Sequence, residues 1–247
     1  MRLVLASASP RRAELLTAAG FTFDILATSI DETRRSDETP RDYVRRLAAE
    51  KAAATLARLN DEPSIAGSGR LAARTGQTWR GPGESHVSSQ QRRSPDPPDL
   101  ANPPDDRMEL VVVGADTTVV VEDEILGKPM DSRDAERMLR LLSGGRHIVM
   151  TGVCVRSAGA MADAVDETQV CVHALTDEQI AWYVASGEGV DKAGAYAIQG
   201  LASRFISRIE GSYSNVVGLP VATLDELIRR VRHQSSVLAS GGSSELF

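Results

Sequence analysis

Acidic and basic side chains recur in this 247-residue chain within short glycine-containing stretches, and those stretches are where chemistry is to be sought. Asp116 stands in Gly114-Ala115-Asp116-Thr117-Thr118, just after the apolar run Leu110 to Val113. Ligand sites of open α/β sheets lie beyond strand ends, so a carboxylate there is a candidate functional group; the alternative is a cap for the next turn. Glu32, in the acidic turn Ser29-Ile30-Asp31-Glu32, is a second loop carboxylate. Two carboxylates converging on a polyphosphate can hold magnesium, with waters and phosphate oxygens completing the octahedron. One of them could also orient or deprotonate an attacking water. Lys51 and Lys128, the latter in Gly127-Lys128-Pro129, either supply charge to a transferring phosphate or are merely solvated. Gln199 shares with Lys192 a loop of small residues, where its amide offers both a donor and an acceptor to a base edge.

A further anion site is written into the first dozen residues. Leu3 to Ala6 reads as a buried strand, Ser9 as an N-cap, Pro10 as the first helical residue and Gly20 as the helix stop. Free N–H groups and the positive end of the helix dipole favour an anion there, and Ser7, Arg11 and Arg12 add donors and charge. The other reading is a solvated first turn with surface arginines.

These groups need elements to hold them. Phe21 to Leu26 suggests a second strand. Thr39-Pro40-Arg41-Asp42 opens a helix that runs to about Leu59, with Tyr43, Val44, Leu47, Ala48 and Leu56 on its apolar face and Lys51 also on it. From Asn60 to Arg107 periodicity is lost and seven of the chain's 11 prolines occur. Such a segment buries too little apolar surface to offset its ordering entropy, so a disordered insert is expected over 60–108. Strands follow at Leu110–Val113 and Val119–Val121, then a helix over Ser132–Leu142. His147–Val155 and Thr168–Ala174 alternate as an antiparallel pair joined by a loop around Ser157–Asp166. A capping box at Thr176-Asp177-Glu178-Gln179 starts a helix ending at Gly187. Phe205–Ile209 reads as a strand, Gly211–Asn215 as a loop, and Ala222–Arg232 as a last helix before a flexible tail over 233–247. Interspersed strands and helices predict an α/β sheet protein.

Composition narrows the partners. A net charge of −6 argues against a nucleic-acid duplex, so basic sites must be local. No apolar run has the length of a signal peptide core or a membrane span, which predicts a cytoplasmic protein with no membrane partner. Cys154 and Cys171 read as buried free thiols, and no paired Cys/His spacing suggests zinc. The four histidines show no pairing, and neither a G-x-G-x-x-G nor a Walker motif is present.

Taken together, Ser7-Ala-Ser9-Pro-Arg11-Arg12, Gly114-Ala-Asp116-Thr117, Gly127-Lys128-Pro129, Asp191 to Gly200 and Gly211 to Pro220 resemble the Maf family, over about residues 1–59 and 109–232. That resemblance implies an elongated mixed-sheet α/β fold with a central cleft, related to the inosine triphosphatases, in one domain over 1–232. It implies a nucleoside triphosphate pyrophosphatase that uses Mg²⁺ or Mn²⁺. The Tyr196-x-Ile198-Gln199-Gly200 form resembles the dTTP/UTP branch rather than the 7-methyl-GTP branch. By position, Asp116 becomes the proton acceptor, and Arg11, Thr117 and Gln199 set base preference. Ser7, Arg12, Lys51 and Lys128 fall on the phosphate side, and Glu32 with Asp116 on the metal side. A homodimer is also implied. The alternatives are a pyrophosphatase selecting another base, or a nucleotide-binding regulator of septum formation that needs no turnover.

Overall fold

The computed structural model describes residues 1–61 and 109–241. The insert expected over 60–108 lies outside the described residues, apart from Asn60 and Asp61, which continue the preceding helix. A mixed seven-stranded sheet runs in the order β2-β1-β3-β5-β6-β7, with β4 also paired to β3. Its strands are β1 (Arg2–Leu5), β2 (Asp24–Ile25), β3 (Leu110–Val121), β4 (Glu124–Leu126), β5 (Arg146–Arg156), β6 (Met161–Val172) and β7 (Ile206–Glu210). β1 is parallel to β2 and β3, and every other pairing is antiparallel. The helices are α1 (Pro10–Ala18), α2 (Pro40–Asp61), α3 (Ser132–Leu142), α4 (Asp177–Ala185), α5 (Tyr213–Val217) and α6 (Val221–Gly241). None among the described residues is long and apolar enough to cross a membrane.

The local signals act as expected at most helix starts. Thr39 Oγ1 accepts from the Asp42 amide at 3.1 Å and donates to its carboxylate at 2.6 Å. Thr176 and Gln179 form the full capping box of α4. Ser9 takes the extended N-cap conformation of α1, but its side chain makes no cap bond. Instead Ser7 Oγ accepts from the Ser9 amide at 3.3 Å.

Several boundaries differ from the sequence reading for reasons of pairing. The second strand shrinks to Asp24–Ile25 because β1 offers it only two partners. β6 begins at Met161, since an eleven-pair register with β5 absorbs most of the expected loop. Tyr213–Val217 is helical, with Ser212 accepting from the Asn215 amide. The last helix continues past Arg232 to Gly241, and Ser235 meets Ser157 at 3.2 Å, so the start of the expected tail belongs to the folded body.

The consequential difference lies in β3. It does not end before Asp116; it is continuous, because β5 pairs it without a break from Val112 to Val120. Its other edge is interrupted. β1 covers Leu110–Val113 and β4 covers Val119–Val121, so among the described residues no strand lies beside 114–118. The cleft opens at this missing stretch of strand, and Asp116 borders it from mid-strand.

Strand alternation sends Val112, Gly114 and Asp116 to one face and Val113, Ala115 and Thr117 to the other. α2 covers the first face, packing Ala48, Ala52 and Leu56 on Val4, Val112 and Cys154. α1 and α6 cover part of the second around Leu3, Leu5, Val113, Leu224 and Leu227. α3 and α4 cover its far end around Val119, Val149, Leu139 and Tyr183. α2 lies very close to the sheet. A methyl group on Gly114 would overlap the Ala48 carbonyl, and one on Gly152, which pairs with Asp116, would overlap the Val44 carbonyl. Arg41–Glu167 and Arg45–Asp163 ion pairs fasten α2 to β6 from outside.

Gly152→Ala should therefore lift α2 and cost about 1–3 kcal/mol, as overpacking does. Urea unfolding checks this against Gly127→Ala, whose methyl would meet nothing within 4 Å and should shift stability by less than about 0.5 kcal/mol.

Candidate active site

The gap beside β3 opens into a cleft of about 580 Å³ that is lined by all nine residues singled out in the sequence: Ser7, Arg11, Arg12, Glu32, Lys51, Asp116, Thr117, Lys128 and Gln199. They come from six separate stretches of chain, and the sheet brings them to one place.

Asp116 and Lys51 form the centre. The Lys51 ammonium donates to Asp116 Oδ1 at 2.7 Å and lies 2.7 Å from Glu32 Oε1. Both partners of the inner pair are mostly buried, at 12% and 13% side-chain exposure, whereas Glu32 is open at 57%. Burial pushes the Asp116 pKa above the ordinary carboxylate value, against the pull of Lys51 and Arg12. Glu32 lies on an irregular segment, held where Tyr43 donates to its carbonyl at 2.9 Å. Arg46 braces the same segment, donating to the Thr33 carbonyl at 3.1 Å and, in a fork, to both Glu38 oxygens at 2.6 and 2.8 Å. Tyr43, read from the sequence only as part of an apolar face, thus has a polar task at its tip. Among the described residues no three His, Cys, Asp or Glu side chains cluster as a metal cage. Two carboxylates on one open side suit a hard cation that keeps waters and substrate oxygens as its other ligands.

Arg12 works on the opposite face. It donates to Ser7 Oγ (3.0 Å), the Ala115 carbonyl (2.9 Å), Thr117 Oγ1 (3.0 Å) and the Gly218 carbonyl (2.8 Å). Those bonds use four of the five N–H groups of a guanidinium, so Arg12 chiefly ties the β1 turn and the α5–α6 turn to the exposed edge of β3. Burial lowers its pKa. The Thr117 hydroxyl is likewise engaged, with Arg12, Thr151 Oγ1 (3.0 Å) and the Gly218 carbonyl (3.3 Å). Both side chains build the cleft floor.

The far wall carries the free groups. Lys128 makes no ion pair among the described residues, and its turn is fastened where the Gly194 amide donates to the Gly127 carbonyl at 3.0 Å. Gln199 is exposed, with no amide partner among the described residues. Arg11 lies 3.5 Å from Asp191, which also pairs with Lys192 at 2.6 Å. The sequence reading named Asp191 only as the start of a motif stretch and gave it no role of its own, because an exposed acidic residue beside a lysine has no distinctive signal. His147 was read as unpaired; it is buried with Nε2 2.8 Å from the Tyr196 hydroxyl, and burial lowers its pKa to about 4, so it is neutral.

Lys51→Met should raise the Asp116 titration by a further ~1–3 units, because the removed charge favoured the carboxylate. Carboxyl-carbon NMR of labelled aspartate, following pH in both proteins, checks the sign and size.

Comparison with known proteins places this cleft among relatives. The family model described as Maf-like protein matches residues 2–231. A dTTP/UTP pyrophosphatase of Shewanella oneidensis is 45% identical over 233 residues, covering 92% of this chain and 97% of the relative. One of the same name from Anaeromyxobacter dehalogenans is 43% identical and covers 93% of each chain. Another from Geobacter sulfurreducens is 43% identical, covering 93% of this chain and 96% of its own. A family match across nearly the whole folded body, with relatives this similar over their full lengths, leaves one assignment: the chain belongs to the Maf family.

Proposed function

We propose that this chain is a dTTP/UTP pyrophosphatase, hydrolysing the α–β anhydride of a pyrimidine nucleoside triphosphate to the monophosphate and pyrophosphate. The observation that carries the proposal is Asp116: a mostly buried carboxylate, raised in pKa and braced by Lys51, on a central strand whose cleft-side edge has no strand neighbour at 114–118 among the described residues. The relatives' names support the substrate class.

Asp116 accepts the proton of a water as its oxygen bonds to the α-phosphorus, and the bond to the bridging oxygen breaks, releasing pyrophosphate with that electron pair. A raised pKa suits a proton acceptor working near neutrality, provided the group is still ionised, and the Lys51 ammonium favours that ionised form. A divalent cation, Mg²⁺ or Mn²⁺, held by Glu32 and Asp116 would neutralise charge on the triphosphate oxygens. Lys128 is placed to meet charge on the departing phosphates. Ser7, the α1 amides and the remaining N–H of Arg12 face the same chain of phosphates. Arg11 and Gln199 take the base end, with Thr117 shaping the floor beneath. The catalytic unit comprises residues 1–232 together with the continuation of α6 that reaches Ser157.

Pyrophosphate release from dTTP, UTP, CTP, GTP and 7-methyl-GTP, with and without Mg²⁺ or Mn²⁺, tests the reading. Expected are a preference for dTTP and UTP, loss of turnover in chelator, and a fall of roughly 10²–10⁴-fold in Asp116→Asn. Full activity of Asp116→Asn with metal present would sink the mechanism; tight nucleotide binding without turnover would favour a regulator. In the same assay, deletion of about residues 64–104 should leave activity within a few-fold, because the closure entropy of a connection changes little with its length.

A further inference from the structure

We propose that Glu188 and Tyr183, neither of which lines the cleft, are positioning residues for base selection, acting by fixing Gln199; the inference rests on the reading of Gln199 as the base-facing group. Gln199 stands at the tip of a tight turn, in which the Gly200 amide donates to the Ala197 carbonyl at 3.1 Å. Both ends of that turn lead to a single carboxylate. On one side the Ala197 amide donates to the Tyr183 hydroxyl at 3.1 Å, and that hydroxyl donates to Glu188 Oε2 at 2.7 Å. On the other, the Leu201 amide donates to Glu188 Oε1 at 2.9 Å. The carbonyl of Glu188 accepts from Lys192 Nζ at 2.6 Å, so the beginning of the same loop is held as well.

Two glycines are fitted to this arrangement. A methyl on Gly200 would overlap Glu188 Oε1, and one on Gly189 would overlap the Ala195 carbonyl. The anchor itself is rigid: Tyr183 is 1% exposed in the core, edge-on to Phe205 at 5.8 Å between ring centres. A carboxylate is the side chain that can accept at both oxygens at once. A glutamine could keep the Leu201 arm only by turning its NH₂ toward the Tyr183 hydroxyl, which reverses that bond and removes the charged acceptor of the hydroxyl proton. With the turn held before the nucleotide arrives, Gln199 can present its amide without an ordering cost, and discrimination between bases depends on such fixed donors and acceptors.

The test compares Tyr183→Phe, Glu188→Gln and Gln199→Ala with wild type, measuring kcat and KM for UTP, dTTP, CTP and GTP on protein shown folded by circular dichroism. Wild type in this panel reports on the activity itself. Expected for Tyr183→Phe and Glu188→Gln is a rise of about tenfold in KM for UTP and dTTP, kcat within about twofold, and a loss of selectivity matching Gln199→Ala. Retained selectivity in both variants, with Gln199→Ala unselective, overturns the positioning role and leaves the Gln199 reading standing. An unchanged Gln199→Ala overturns that reading and the inference together. An equal fall in kcat on every nucleotide, with KM unchanged, would also overturn it. Should Glu188→Gln fail to fold, Tyr183→Phe, which removes a single oxygen, decides the matter.

Discussion

The charge on Asp116 is the group around which the rest is arranged, because a carboxylate removed from water is costly unless a cation accompanies it. Lys51 supplies the cation at 2.7 Å, yet it can do so only because α2 rests almost on the backbone of β3 and β5. Gly114 beneath Ala48 and Ala52, and Gly152 beneath the Val44 backbone, permit that approach. Leaving one partner of a mostly buried pair unmatched costs about 3–5 kcal/mol or forces the survivor to neutralise. A folded state that holds the Asp116 proton more tightly than the unfolded chain also loses stability as that group ionises on raising the pH. The packing of small residues is therefore tied directly to the protonation state at the centre of the cleft.

On the other side of the sheet the problem is polar satisfaction of an interrupted strand edge. Between the end of β1 and the start of β4, β3 has no strand neighbour among the described residues. Arg12 closes part of that edge by donating to the Ala115 carbonyl and, in the same fork, to Thr117, Ser7 and Gly218. A single guanidinium thus links β1, β3 and the α5–α6 turn while leaving the edge open enough to form a cleft. This suits arginine, whose planar set of donors can satisfy several acceptors in fixed directions, where lysine would offer a point charge. The two walls then divide the work. One face of β3 holds the carboxylates and Lys51; the far wall presents Lys128 and Gln199, which have no side-chain partner among the described residues.

Much of this was legible in the chain because the signals are local. Pro10, Thr39-Pro40 and the Thr176–Gln179 capping box start helices through bonds within one turn, and α3 has the bounds its periodicity implies. What misled was the assumption that a polar residue after an apolar run ends a strand. Asp116 and Thr117 remain in β3 because β5 supplies their backbone partners from more than thirty residues away in sequence. The roles of Tyr43 and His147 were hidden for the same reason: their polar atoms meet Glu32 and Tyr196, which no periodicity connects to them.

Residue type and spacing by themselves determined the family resemblance, the α/β class and most helix starts, since each depends on side-chain identity and on hydrogen bonds between near neighbours. Tertiary structure alone decided which charges touch. It placed Lys51 between Asp116 and Glu32, committed Arg12 and Thr117 to the cleft floor, and left Lys128 and Gln199 without side-chain partners among the described residues. Those outcomes depend on strand register and on how closely a helix can approach a sheet, and such distances are set by packing across the whole fold.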